Sequence, residues 1–223
     1  MLNQTDNGIE RAAEGQRISL RERKAIESFR NAVSTIGTIV HGYSLFGITR
    51  GQFSMIDLIL ACLDQAGPSR VTLWTWCIAE YEVQCFERLM MDERVTTALL
   101  VIDAGAQGRA RESDQKPLRT WRKKNGPESV RWVRNHAKIA TVESAKFKLL
   151  LRGSMNLNYN PRFEQFDIDE GGPGFDLVQK IENGLPMLKD DCLFAEYAKA
   201  SKLDQAWTAD QFKPFETLKT WAK

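Results

Sequence analysis

The apolar residues of this chain switch between two spacings. Met55-Ile-Asp-Leu-Ile-Leu-Ala-Cys-Leu-Asp64 follows Ser54 and is closed by Gly67-Pro68, the pattern of a helix with a defined stop. Val71-Thr-Leu-Trp-Thr-Trp-Cys-Ile78 is rich in β-branched and aromatic side chains and reads as a buried strand. Glu80 to Met91 returns to helical spacing, and Thr97-Ala-Leu-Leu-Val-Ile102 is a second core strand. Helix, strand, helix, strand implies parallel pairing through crossover connections, hence an α/β fold.

Upstream, residues 1–16 are polar, and Ser19 is placed to cap a helix from Leu20 to about Val33, with Ile26, Phe29 and Val33 on one face. That helix reads as one laid on the domain, with nucleic-acid contact or a partner interface as the other readings. Thr35 to Gly51 contains four glycines and reads as a strand and loop. Downstream, Asp103 to Glu128 shows no clear periodicity and holds Gly105, Gly108, Pro117 and Gly126-Pro127. Arg134 to Glu143 is expected to be a strand, and residues 144–151 turn the chain into a neighbouring one. Asp167 to Gly174, acidic and glycine-rich, reads as a loop. Phe175 to Leu188 and Asp191 to Leu203 read as helices. The tail aromatics Trp207, Phe212, Phe215 and Trp221 are expected to pack on the domain or across a subunit interface.

Composition adds little until it is localised. A chain of 223 residues with 43% hydrophobic and 27% charged side chains has ordinary globular proportions and is long enough for one domain with decorations. The net charge of +2 hides a basic stretch: Arg109 to Arg152 carries thirteen Lys or Arg against four acids, interleaved with Trp121 and Trp132. Such a stretch is often only a solvated face, but here it leads into the residues described next, which favours nucleic acid as partner. No run of 18 apolar residues exists to span a membrane, and Met1 to Glu10 lacks the apolar core of a secretory signal. Cys62, Cys77, Cys85 and Cys192 show no metal-type spacing; reduced, buried thiols in a cytoplasmic protein are expected. Two histidines are too few for a multi-His metal centre.

Chemistry concentrates in Arg134-Asn-His-Ala-Lys-Ile-Ala-Thr-Val-Glu143 and Arg152-Gly-Ser-Met-Asn-Leu-Asn158. In a strand, residues two apart share a face, so Arg134, His136 and Lys138 align, as do Ser154 and Asn156. A nucleophile, a fixed cation, a hydroxyl and an amide brought together suit an anionic phosphorus centre.

At these residues the chain resembles the phospholipase D superfamily, whose signature reads H-x-K-x4-D-x6-G-S-x-x-N. His136, Lys138 and Gly153-Ser154 match it. Glu143 stands where the signature has Asp, the following gap is three residues longer, and Asn156 sits one place early, as in the G-S-x-N form of nuclease-like members. The resemblance covers about residues 38–186. It implies a mixed sheet flanked by helices over residues 38–188, between N-terminal (1–37) and C-terminal (189–223) helical extensions. It also implies a metal-independent phosphodiesterase without cofactor, in which His136 attacks phosphorus and Lys138 and Asn156 hold the phosphoryl oxygens. Ser154 supports the phosphate or the turn, and Glu164 holds the His136 ring. Arg122, Lys123, Lys124, Arg134 and Arg152 are the expected nucleic-acid contacts. The family chemistry uses two motifs and this chain has one, since His41 has no Lys two residues on. A homodimer sharing one composite site is therefore expected, acting as a nuclease on DNA or RNA. A lipid phosphodiesterase, or a degenerate nucleic-acid-binding protein, are the alternatives.

Overall fold

The computed structural model describes residues 24–28, 31–103, 112–133, 135–155, 157 and 161–185. In chain order these form β1 (Lys24–Ser28), α1 (Ala32–Ile36), β2 (Ser44–Thr49), α2 (Met55–Ala66), β3 (Ser69–Thr75), α3 (Glu80–Met91), β4 (Val95–Asp103), α4 (Glu112–Asn125), β5 (Val130–Val133), β6 (Ile139–Glu143), β7 (Lys148–Gly153), β8 (Glu164–Glu170) and α5 (Pro173–Gly184). The strands make one mixed sheet in the order β1-β2-β8-β7-β6-β3-β4-β5. β1 pairs parallel with β2, and β3-β4-β5 is a parallel group; every pairing between β2 and β3 in that order is antiparallel. The expected α/β class and mixed sheet flanked by helices are what the chain forms.

Alternation along the strands sorts their side chains onto two faces. Val71 and Leu73 of β3, Leu100 and Ile102 of β4, Ala140 and Val142 of β6 and Leu149 and Leu151 of β7 point into the main core. There they meet Ile36 of α1, Leu58 and Cys62 of α2, Phe86 of α3 and Trp121 of α4. The opposite face is covered by α5, whose Phe175 and Val178 pack on Leu150, Trp74 and Ile139. Ser54 starts α2 with a reciprocal cap, its backbone N–H donating to Asp57 Oδ2 at 2.7 Å.

Four expectations change. Residues 24–28 belong to the sheet edge as β1 and not to a helix running from Leu20 to Val33; pairing with β2 overrides the i, i+3, i+7 spacing of three apolar residues. Val33, placed on the apolar face of that helix, is exposed in α1. The aperiodic stretch contains α4, which buries only Leu118 and Trp121 among its apolar side chains and carries Pro117 inside, so its stripe is too narrow to see. The acidic loop from Asp167 is instead the second half of β8. Phe166 and Ile168 are buried on one face, while on the other Asp169 accepts from Ser44 Oγ (2.6 Å) and pairs with Arg152. Cys62, Cys77 and Cys85 are free thiols, but Cys77 is exposed where burial was expected. The expected helix after Asp191 and the tail aromatics lie outside the described residues.

α5 is fastened by a buried carboxylate. Glu182 accepts from Trp74 Nε1 at 2.9 Å, Thr72 Oγ1 at 3.2 Å and Arg70 at 3.4 Å, three side chains two apart on one face of β3. Burial pushes the Glu182 carboxyl up, with the Trp74 bond and Arg70 pulling against it. A raised acid pKa means that the native state holds the proton more tightly than the unfolded chain does. Stability from this group is therefore greatest at low pH and declines as pH rises from the ordinary glutamate range to the raised value. Glu182→Gln is expected to remove that slope from the stability–pH curve. Glu182→Ala, which leaves the donors unmet, is expected to cost about 2–3 kcal/mol in urea unfolding at neutral pH.

Candidate active site

Strand directions put one set of termini together. The C-terminal ends of β2, β3, β4 and β7 and the N-terminal ends of β6 and β8 lie along the same end of the sheet. His136 and Lys138 arrive there by a crossing. β5 lies at the sheet edge and β6 three strands away, so the chain from Val133 to Ile139 must pass over the ends of β4 and β3. Three strand spacings are roughly 14 Å, well within the reach of about 20 Å that six residue steps allow. His136 and Lys138 therefore lie on a connection across the strand ends and not, as expected, within a strand; β6 begins one residue after Lys138.

Asn135 pins this connection. It is buried, its backbone N–H donates to Asp103 Oδ2 at 2.7 Å, and its Nδ2 reaches the carbonyls of Thr75 (3.2 Å), Val101 (3.4 Å) and Ala137 (3.3 Å). Its Oδ1 accepts from the Ala137 N–H at 2.8 Å. One side chain thus satisfies carbonyls of two strands and both backbone groups of Ala137, the residue after His136. The expected result of Asn135→Ala is a loss of about 2–4 kcal/mol in stability, from stranded buried polar groups and a small cavity. Asn135→Asp, which keeps the Oδ1 acceptor but loses the amide donor, should recover little of it. Denaturant melts of both variants check this.

The Gly153-Ser154 pair closes the other side. The Gly153 N–H donates to the Lys138 carbonyl at 3.2 Å and the Ser154 N–H to the Gln165 carbonyl at 3.1 Å. A β-carbon on Gly153 would lie 2.5 Å from the Gln165 carbonyl oxygen, so only glycine lets β7 and β8 approach this closely. Ser154 Oγ accepts from the Gln165 N–H at 3.0 Å and donates to Glu164 Oε2, stitching the turn to the start of β8. Between these pieces lies an open depression lined by Ala137, Lys138, Ile139, Arg152, Gly153, Gln165 and Asp167. The Lys138 ammonium donates to the His136 carbonyl at 3.3 Å, and the exposed His136 ring has the indole of Trp76 beside it, centroids 6.4 Å apart.

The structure thus brings His136, Lys138, Ser154 and Glu164 to one end of the sheet. Glu164 is buried and engages Ser154; among the described residues no side chain hydrogen-bonds the His136 imidazole, so the expected His–Glu contact is not made. Arg152 lines the depression and is paired with Asp169. Arg134 and Asn156 lie outside the described residues. The basic trio does not converge here. α4 returns from the site end to the opposite end of the sheet, a run of about 20 Å for its length, where Asn125 lies near Thr96 and Thr97. Arg122 is buried with Nε donating to the Pro127 carbonyl at 3.1 Å. Lys123 and Lys124 are exposed there, Lys124 3.9 Å from Glu87. Glu143 also sits at the far end, accepting from Gln179 at 2.7 Å. So does His41, beside Phe147 and 3.4 Å from Glu170. Asn135 and Trp76 were not anticipated as site residues. The Trp74-Thr-Trp76 run at a strand end was the available signal for the second.

Among the described residues, no group of three or more His, Cys, Asp or Glu is arranged to hold a metal ion, and no helix is long and apolar enough to cross a membrane. No protein-family model matches the chain, and no curated protein matches it significantly in sequence. Among solved structures it is similar to the phosphatidylserine synthase of Haemophilus influenzae Rd KW20, at a TM-score of 0.43 and 15% identity. That similarity covers 75% of this chain and 46% of the synthase.

Proposed function

We propose that this chain is a phosphodiesterase, with His136 as nucleophile and nucleic acid as substrate, working as a homodimer with one composite site. The observation that carries the reading is the meeting of the H-x-K and G-S segments at a single end of the sheet, bonded to each other through Gly153 and Lys138. An exposed imidazole there has room for in-line attack. Its neutral nitrogen forms an N–P bond as the P–O bond to the leaving group breaks. The departing oxygen takes a proton from a second imidazolium, that of the other copy. Water then attacks phosphorus and gives its proton to that second imidazole, and the N–P bond breaks to restore His136. Lys138 offsets charge on the phosphoryl oxygens, and the Glu164–Ser154–Gln165 bonds fix the turn that faces it. The Lys138 ammonium lies against the His136 carbonyl and need swing only locally to reach a phosphate.

The test compares single-stranded DNA, RNA, bis-p-nitrophenyl phosphate and phospholipid as substrates, each with and without EDTA. Diester hydrolysis of the nucleic acids that persists in chelator is the expected result. Activity that disappears with EDTA and returns with Mg²⁺ would refute the histidine mechanism. Hydrolysis of phospholipid alone would move the substrate assignment to lipid.

A further inference from the structure

The end of the sheet that carries His136 also carries two exposed aromatic side chains. Trp76 follows β3, is 39% exposed, and has its ring against the His136 imidazole. Phe163 precedes β8, is 65% exposed, and has the Arg50 guanidinium 4.7 Å above its ring. Arg50 itself follows β2, the neighbour of β8. β3 and β8 are separated by β6 and β7, so the strands that carry the two rings lie three spacings, roughly 14 Å, apart, with Lys138 just before β6 and Ser154 just after β7 between them.

Exposing a Trp and a Phe leaves apolar surface in water. A cation stacked on one ring and a histidine beside the other, with Lys138 at the same end of the sheet, suit a ligand that is both planar and anionic. We infer that Trp76 and Phe163–Arg50 are base-stacking platforms and that the site takes single-stranded polynucleotide, laid across the strand ends with its backbone over Lys138. This rests on the phosphodiesterase reading for its chemistry but not for its binding. A stacked strand advances about 3.4 Å per nucleotide and an unstacked one more, so a few nucleotides bridge the two rings. Bases within a duplex present their edges, not their faces, and cannot lie on either ring without unpairing. An acyl chain gains nothing from the guanidinium over Phe163.

The experiment measures affinity by fluorescence anisotropy with the His136→Ala full-length chain, so that no ligand is consumed. The probes are a labelled thymidine oligonucleotide, its duplex, and an abasic strand of equal length and charge. Tight binding of the oligonucleotide over both others is expected. Trp76→Ala should weaken it roughly 5- to 150-fold, the range for losing one stacked base, and close most of the gap to the abasic strand. Phe163→Ala should do the same independently, and Trp76→Phe should restore part of the loss. Equal affinity for base-bearing and abasic strands, or a preference for duplex, would overturn the inference. So would loss of affinity for both single strands alike in the Trp variants, which would mark Trp76 as a support for the loop alone. Stronger binding to phosphatidylglycerol vesicles than to any oligonucleotide would assign the rings to a lipid surface. If the wild-type chain binds oligonucleotide through both rings yet hydrolyses no diester, the stacking site stands and the phosphodiesterase reading falls.

Discussion

His136→Ala is expected to abolish the proposed phosphodiester turnover while the melting transition stays close to wild type. The two halves of this expectation come from different properties of the residue. His136 is exposed, its ring makes no hydrogen bond among the described residues, and truncating such a side chain typically changes stability by no more than about 0.5 kcal/mol. Loss of the nucleophile, by contrast, removes the covalent route entirely. Lys138→Ala keeps the nucleophile and loses one fixed charge at the phosphate, so a fall of roughly 10²–10³-fold in turnover is expected. Far-ultraviolet circular dichroism and a thermal melt beside the rate assay separate the two effects. If His136→Ala retains more than a tenth of wild-type activity, the nucleophile is elsewhere. If it unfolds, the residue holds the connection instead of serving the chemistry.

Much of the scaffold was legible because its signals are local. Ser54, Asp57 and Gly67 bracket α2, and the helix from Glu80 to Met91 has the bounds its periodicity gives. Elements whose signal is shared with a partner strand were not legible. β1 is specified by pairing with β2, and β8 presents acids whose purpose is to meet Ser44 and Arg152 on its neighbours. α4 shows only two buried apolar residues under a coat of charge. In the site, the motif spacing located His136, Lys138 and Ser154 but not their support. Asn135 is decisive because the chain crosses two strand ends to reach β6, and that crossing follows from the sheet order and not from any window of sequence. The same topology explains why the basic run misleads. Arg122 to Lys124 precede His136 by a dozen residues, yet the helix that carries them runs away from the site.

If the protein is the proposed dimer, mixtures of wild-type and His136→Ala chains are expected to lose activity faster than the wild-type fraction falls. Attack requires a neutral imidazole, and departure of the alkoxide requires a protonated one at the same moment, so one ring cannot fill both roles in one step. The chain's only other histidine, His41, sits beside Phe147 and Glu170 at the opposite end of the sheet, a strand's length from His136. Glu164, a buried acid at the same end of the sheet, is engaged with Ser154 and braces the turn. In the proposed dimer a second copy supplies the proton, and a two-fold axis beside the Gly153-Ser154 turn would bring two His136 rings and two Lys138 cations to one phosphate. If both imidazoles are needed, activity follows the square of the wild-type fraction, and an equal mixture with complete subunit exchange retains about a quarter of full activity. Exchange is verified by mass-tagging one chain, and the oligomeric state by sedimentation. A linear dependence on the wild-type fraction would mean that each chain carries its own acid, and a monomer with full activity would exclude the composite site outright.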